Sequence, residues 1–260
     1  MKKIIHLLCL LVAINNGPLL ANSLIQDPAI VLITGSNRGI GLALAERYAK
    51  DGWKVIATCR NPNQAVKLKT IADKYPLIMI EKIDVTDMET INKVADKYQD
   101  NSIDVLINNA GISGGLTNQV FGNLDYSIFK RVIDVNTLGP TRMVEAFLDQ
   151  VTTSKQKKII NITSTQGSIT RTRGGQYFYK TSKAALNMIT RNLSQDLKSK
   201  KVIVGLISPG WVITDIVEGF KDPRMLKPEE SAYLVAKVID SYTLDQSGYF
   251  FDETGTVAPW

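Results

Sequence analysis

Histidine is almost missing from this chain: the only one, His6, lies inside an N-terminal apolar run. With none beyond it, an imidazole general base and most zinc sites are excluded, and no metal site is expected. "GISGG", Gly111 to Gly115, matches the Gly-x-Ser-x-Gly nucleophile elbow, yet no histidine follows it to complete a Ser–His–Asp triad. Cysteine is scarce too. Loss of Cys9 with the N-terminal segment would leave Cys59 alone, which excludes an internal disulfide and reads as a small apolar filler. After Pro28 there is no low-complexity stretch, long linker or repeat. The longest apolar run, "IIHLLCLLVAI", is too short for a comfortable membrane span.

That run follows "MKK" and precedes "NNGPLLANS", the layout of a secretory signal peptide with cleavage after Ala21. Residues 1–22 are therefore set apart from the fold. Processing would make the protein exported or periplasmic; an unprocessed extension would leave it cytoplasmic. The net charge of +6 is spread along the chain, with short clusters only at "SKQKK" and "KSKK". Such clusters are solvated helix ends or loops, so no nucleic-acid partner is expected, while a basic surface suits an anionic small molecule.

From residue 28 to 260, short apolar runs alternate with longer helical patterns. Strands are expected at Ala29–Thr34, Lys54–Thr58, Leu77–Ile83, Ile103–Asn108, Lys158–Thr163, Val202–Ile207 and Gly248–Phe251. Helices are expected at Ile40–Lys50, Gln64–Lys74, Met88–Tyr98, Leu124–Val151, Tyr177–Lys198 and Pro228–Tyr242. The strands are rich in Ile, Val and Leu without polar alternation, the mark of burial on both faces. The alternation predicts one α/β domain, a doubly wound Rossmann fold with a seven-stranded parallel sheet and helices on both faces.

"AIVLITGSNRGIGLALAERYAKDG", residues 29–52, is a strand, a glycine turn and a helix. Gly35 permits a tight turn, Gly39 lets backbone approach a ligand, and Gly41 lets the helix pack on the strand. The spacing is Gly-x-x-x-Gly-x-Gly, and the N–H groups at the helix start favour a pyrophosphate. The second strand ends in "TCRNP" with no carboxylate to meet a ribose 2′-OH. Arg60 there, and Arg38 in the turn, suit a 2′-phosphate instead, so NADP(H) is expected over NAD(H).

"YFYKTSK" places Tyr179 and Lys183 at i, i+4, on one helix face. "KIINITSTQG" is a buried strand that ends at Ser164, at the carboxyl edge of the sheet where doubly wound folds bind ligands. Seven stretches stand in one order: "TGSNRGIG", "DVTD", "NNAG", "DVNTLGP", "NITSTQG", "YKTSK" and "SPGWVITD". In that order, over residues 29 to 260, the chain resembles the short-chain dehydrogenase/reductase family. "CRNP" and the ending "GYFFDETGTVAPW" further resemble its NADPH-dependent carbonyl-reductase branch, which includes C-factor-like proteins.

The resemblance implies hydride transfer between a nicotinamide and a carbonyl or alcohol, with Tyr179 as acid/base. Lys183 would favour the tyrosinate and bond the nicotinamide ribose, Ser164 would polarise the carbonyl, and Asn136 would hold a water for proton relay. On the cofactor side it implies the turn residues Asn37 and Ile40 beside Gly35, Arg38, Gly39 and Gly41. Asp84 and Val85 would meet the adenine, and Asn109, Ala110 and Gly111 the adenosine ribose. Pro209, Val212 and Thr214 would meet the carboxamide. The Ser–Tyr interval is slightly longer than usual in the family, with a basic, flexible loop between them. The segment after Thr214 is short for a lid. A homodimer or homotetramer is expected through the helices Leu124–Val151 and Tyr177–Lys198. The alternative is a C-factor-like signalling or nucleotide-sensing protein with little turnover. "NIT" at Asn161 and "NLS" at Asn192 match the glycosylation pattern by chance, since Asn161 falls in a buried strand.

Overall fold

A computed structural model describes residues 27–115, 117–217, 219–220 and 222–260, so the signal-like segment lies outside the described residues. The chain runs β1 (Ile30–Thr34), α1 (Gly39–Lys50), β2 (Lys54–Cys59), α2 (Val66–Lys74), β3 (Ile78–Lys82), α3 (Met88–Lys97) and β4 (Val105–Asn108). It continues through β5 (Gln119–Val120), β6 (Asn123–Leu124), α4 (Tyr126–Ile133), α5 (Gly139–Thr152), β7 (Lys158–Ile162), α6 (Tyr177–Asp196), β8 (Ile203–Ile207), α7 (Pro228–Ser241) and β9 (Phe250–Phe251).

Seven of the strands form one sheet in the order β3-β2-β1-β4-β7-β8-β9, every pair parallel. The chain reverses its winding direction between β1 and β4, which opens a crevice above the carboxyl ends of those strands. Both faces are covered. Leu44 and Tyr48 of α1 and Val235 and Ile239 of α7 pack on one side. Ile91 of α3 and Phe147 of α5 pack on the other. Val31, Leu32 and Ile33 of β1 are consequently all inaccessible to water, as their unbroken apolar run requires. Asn161 is buried too, bonded to Asn108 and Thr190, which blocks that glycosylation match. No described helix is long and apolar enough to cross a membrane.

Two expectations are corrected. The helix expected at Leu124–Val151 begins only at Tyr126, because Asn123–Leu124 pairs with Gln119–Val120 in a small antiparallel hairpin. It is also interrupted by a π-helical segment at Asp134–Leu138, between α4 and α5. A π-turn inserts one extra residue into the i→i−4 ladder and frequently marks a functional position. Here it carries Asn136.

The glycine turn is held from within. Gly35 has φ +69°, and a Cβ there would come within 3.0 Å of the Ala110 Cα. A Cβ on Gly41 would stand 2.3 Å from the Gly35 carbonyl oxygen and 2.4 Å from the Asn109 Nδ2. The Gly35 carbonyl cannot move without opening the β1–α1 turn, and the Asn109 amide cannot move without leaving the Thr34 and Gly35 carbonyls. Gly41→Ala should therefore cost about 2–3 kcal/mol, typical of overpacking. The melting temperature should fall by about 5–10 °C at this size. Scanning calorimetry that finds a shift below about 2 °C would disprove this account of the turn.

Candidate functional site

The crevice above β1 and β4 is a cleft of about 670 Å³. Gly35, Asn37, Arg38, Gly39 and Ile40 of the glycine turn line one wall. Arg60, Asp84 and Val85 line it beyond β2 and β3, and Asn109, Ala110 and Gly111 lie beyond β4. Tyr179, Lys183, Pro209 and Thr214 close the far side. A second cavity of about 350 Å³ adjoins it, lined by Ser164, Gln119, Val212, Trp211 and Phe220 among others. Tyr179 belongs to both. Of the residues selected from sequence, Gly41 and Asn136 line neither cavity; they brace residues that do.

Each wall has a structural cause. Thr34, at the end of β1, accepts the N–H groups of Asn109 and Ala110 on its Oγ1, both at 3.0 Å. The Asn109 Nδ2 donates back to the Thr34 carbonyl at 2.9 Å. The end of β1, where the glycine turn begins, and the segment after β4 are thus tied together. Asp84 Oδ1 accepts from the Thr86 N–H and hydroxyl, so its carboxylate is a turn-former as well as a lining group. Arg38 reaches across the cleft mouth to Asp215 at 2.6 Å, an exposed pair.

The Asn136 side chain is bonded within the protein. Its Oδ1 accepts from the Ile112 N–H, while its Nδ2 donates to the Ile112 carbonyl and the Ser182 Oγ, each at 2.9 Å. Both amide donors are spent on protein. The side chain is a brace that ties the segment after β4 to α6. Ser182, which sequence reading passed over although it lies within "YKTSK", completes the tie by donating to the Tyr179 carbonyl at 2.7 Å.

Tyr179 and Lys183 stand one turn apart on α6, the Lys183 Nζ 5.7 Å from the phenol ring centre. Lys183 is buried, and Nζ donates to the Ile162 carbonyl at 2.9 Å. Burial pushes its pKa down to about 8. Burial raises the Tyr179 phenol above its ordinary value, opposed by a hydrogen bond with Ser164. Gly111 lies flush against this group: a Cβ there would be 3.4 Å from the Asn136 Oδ1 and 3.7 Å from the Lys183 Nζ.

The cleft fits a dinucleotide with phosphate groups. Its lining holds Arg38, Arg60, Lys67, Arg131 and Lys183 against two carboxylates, Asp84 and Asp215, so an anion is favoured. Helix α1 starts at the cleft without a side-chain cap or an acidic residue in its first turn, which leaves its N-terminal dipole to a ligand. Lys67 and Arg131 escaped sequence reading because neither stands in a motif.

A short chain dehydrogenase family model matches residues 29–224. The C-signal of Myxococcus xanthus is 40% identical over 159 residues, 61% of this chain and 93% of that protein. The 1-hydroxy-2-glutathionyl-2-methyl-3-butene dehydrogenase of Rhodococcus sp. (strain AD45) is 32% identical over 88% of this chain and 99% of its own. Among solved structures, the NADPH-bound carbonyl reductase from chicken fatty liver superposes with a TM-score of 0.83 at 32% identity, covering 90% of this chain and all of that one. The chain belongs to the short-chain dehydrogenase family of oxidoreductases.

Proposed function

We propose that the protein is an NADP(H)-dependent reductase of neutral carbonyl compounds, with Tyr179 as the proton donor. The observation that carries this reading is the position of Tyr179, whose side chain faces both the cationic cleft and the adjoining smaller cavity. A proton donor for carbonyl reduction has to stand at such a boundary, between the cofactor and the substrate. NADP(H), when bound, supplies the hydride; the protein supplies orientation and the proton.

In this reading α1 and Gly39 receive the pyrophosphate, and Arg60 with Arg38 the 2′-phosphate. Asp84 and Val85 flank the adenine, while Asn109, Ala110 and Gly111 line the ribose. Pro209, Val212 and Thr214 face the carboxamide. Ser164 and the Tyr179 phenol hold the substrate oxygen. The phenol gives its proton to that oxygen as the carbonyl carbon becomes an alcohol carbon, and Lys183 stabilises the tyrosinate left behind. The NADPH named for the chicken carbonyl reductase supports the same cofactor here.

The smaller cavity supports the substrate class. Its described lining holds Trp211 stacked on Phe220, with ring centres 5.3 Å apart, besides Ile216, Val217 and three glutamines, and no ionised side chain. A neutral carbonyl with an apolar body suits it; a carboxylate or phosphate would lose hydration without gaining a counter-charge.

The test is NADPH oxidation, followed by absorbance, against a panel of quinones, aldehydes and ketones. Turnover that disappears in Tyr179→Phe supports the reading. Tight NADPH binding with no turnover on any carbonyl overturns it in favour of nucleotide sensing, the reading favoured by the likeness to the C-signal. The cofactor assignment has its own test. Arg60→Asp should lower the NADPH-to-NADH ratio of kcat/KM by about 10–100-fold, the equivalent of one or two charge-assisted hydrogen bonds. An unchanged ratio would remove Arg60 from the phosphate site.

A further inference from the structure

Helix α6 has to hold Tyr179 in its first turn, yet its own sequence does nothing to start it. The N-cap, Gln176, is a non-glycine residue in the left-handed region (φ 51°, ψ 46°) and makes no side-chain cap bond. No acidic residue stands in the first turn. The first N–H groups of a helix need an acceptor when they are buried, and here it arrives from a segment 59 residues earlier. The Gln119 Oε1 accepts from the Phe178 N–H at 2.9 Å and from the Tyr179 N–H at 3.2 Å. Its Nε2 donates to the Ser113 and Gly115 carbonyls, both at 2.9 Å.

The chemistry of the partners fixes the amide's orientation: two N–H donors demand the oxygen, two carbonyls demand the nitrogen. Gln119 is 2% exposed, and both acceptor positions and both donors are occupied. Fully satisfied buried amides of this kind specify one arrangement, because each alternative strands several polar groups at once. On one side of the amide lies the backbone of Tyr179 itself. On the other lies the segment that follows Gly111, the glycine packed against Lys183 and Asn136.

We propose that Gln119 is a positioning residue for the reaction: it caps α6 from outside and holds the Tyr179 backbone at a fixed distance from the loop segment that follows β4. This inference rests on the proposed reductase reading for its kinetic consequence, though not for the clamp itself. Gln119 lines the smaller cavity and not the larger cleft, so its loss acts on the chemical step rather than on cofactor affinity.

Two variants of the full chain test it. Gln119→Met keeps the volume and removes every bond. Gln119→Glu keeps an acceptor for the helix and loses the donors to the loop. In Gln119→Met, hydrogen exchange at the Phe178 and Tyr179 amides should accelerate by at least about 10-fold, through local opening. In Gln119→Glu both amides should stay protected. With the panel's best carbonyl, kcat of Gln119→Met should fall by about 10–100-fold, as expected of a misplaced reacting group. The NADPH dissociation constant should stay within about threefold of wild type. Exchange at wild-type rates in Gln119→Met overturns the clamp, and kcat within about threefold of wild type overturns the positioning role. A parallel loss of NADPH affinity overturns it too, since that is general loosening. If the wild-type protein reduces no carbonyl, the reductase reading falls while the exchange arm still decides the clamp.

Discussion

Tyr179→Phe should lower carbonyl-dependent NADPH oxidation by about 10²–10⁴-fold, the range associated with loss of a positioned general acid. NADPH affinity should change by no more than about threefold, because the substitution removes one oxygen and leaves the ring in place. The phenol is protonated at neutral pH: burial raises it, and the Ser164 hydrogen bond only partly offsets that. This is the state that reduction needs, since the group must give a proton away. The reverse reaction needs the tyrosinate, so alcohol oxidation should rise with pH across the range in which reduction falls. Single-turnover measurements at saturating NADPH separate the chemical step from binding. A variant that keeps a third or more of wild-type turnover would show that the proton comes from elsewhere, and Tyr177 is not an alternative because no lysine lies four residues beyond it.

Why was so much of this site legible in the sequence? Tyr179 and Lys183 are close in the chain, and an i, i+4 spacing fixes their common face whatever surrounds them. Ser164 was placed by a buried strand whose end is marked by a change in polarity. The glycines of the turn were legible for a related reason: backbone contact with Ala110 and Gly35 leaves no space for a side chain, whichever ligand is bound.

The unread features share a different cause. Gln119 meets α6 across a separation of 59 residues, and Arg38 meets Asp215 across 177. Nothing local distinguishes a glutamine that caps a distant helix from one in water. The hairpin around Gln119 has two-residue strands, too short to show any alternation. The π segment was hidden because Val132 and Val135 keep an apolar rhythm through Asp134–Leu138, while the extra residue that widens the turn leaves no mark in composition. Its consequence was missed with it. Asn136 matches the family motif, but only the three-dimensional arrangement reveals that its amide is committed to Ile112 and Ser182.

Lys183→Met should abolish most turnover while leaving the ligand-free protein at least as stable as wild type. Burial pulls the Lys183 pKa from 10.5 down to about 8, so at neutral pH the folded protein carries a charge it would be easier to hold in the unfolded chain. The difference corresponds to about 3 kcal/mol against folding. Replacement by an apolar chain of similar length removes that term, and it leaves the Ile162 carbonyl without its donor, at a cost of about 1–3 kcal/mol. The expected balance lies between about 0 and 2 kcal/mol in favour of the variant, or up to about 8 °C in melting temperature. The sign of the pH dependence follows from linkage. Below about pH 8 lysine is protonated in both states, and the wild type bears the full penalty. Between about 8 and 10.5 the unfolded chain binds the extra proton, so wild-type stability rises with pH and the gap between the two proteins closes. Turnover should move the opposite way, with loss of about 10²-fold or more, because without the ammonium no charge stabilises the tyrosinate that reduction leaves behind. Calorimetry of both proteins at pH 7 and pH 9.5 checks the first part. A variant that melts well below wild type at pH 7 would mean that the lysine contributes to the fold through its bond to Ile162 more than burial costs it, and the site would then hold no strained cation in reserve for catalysis.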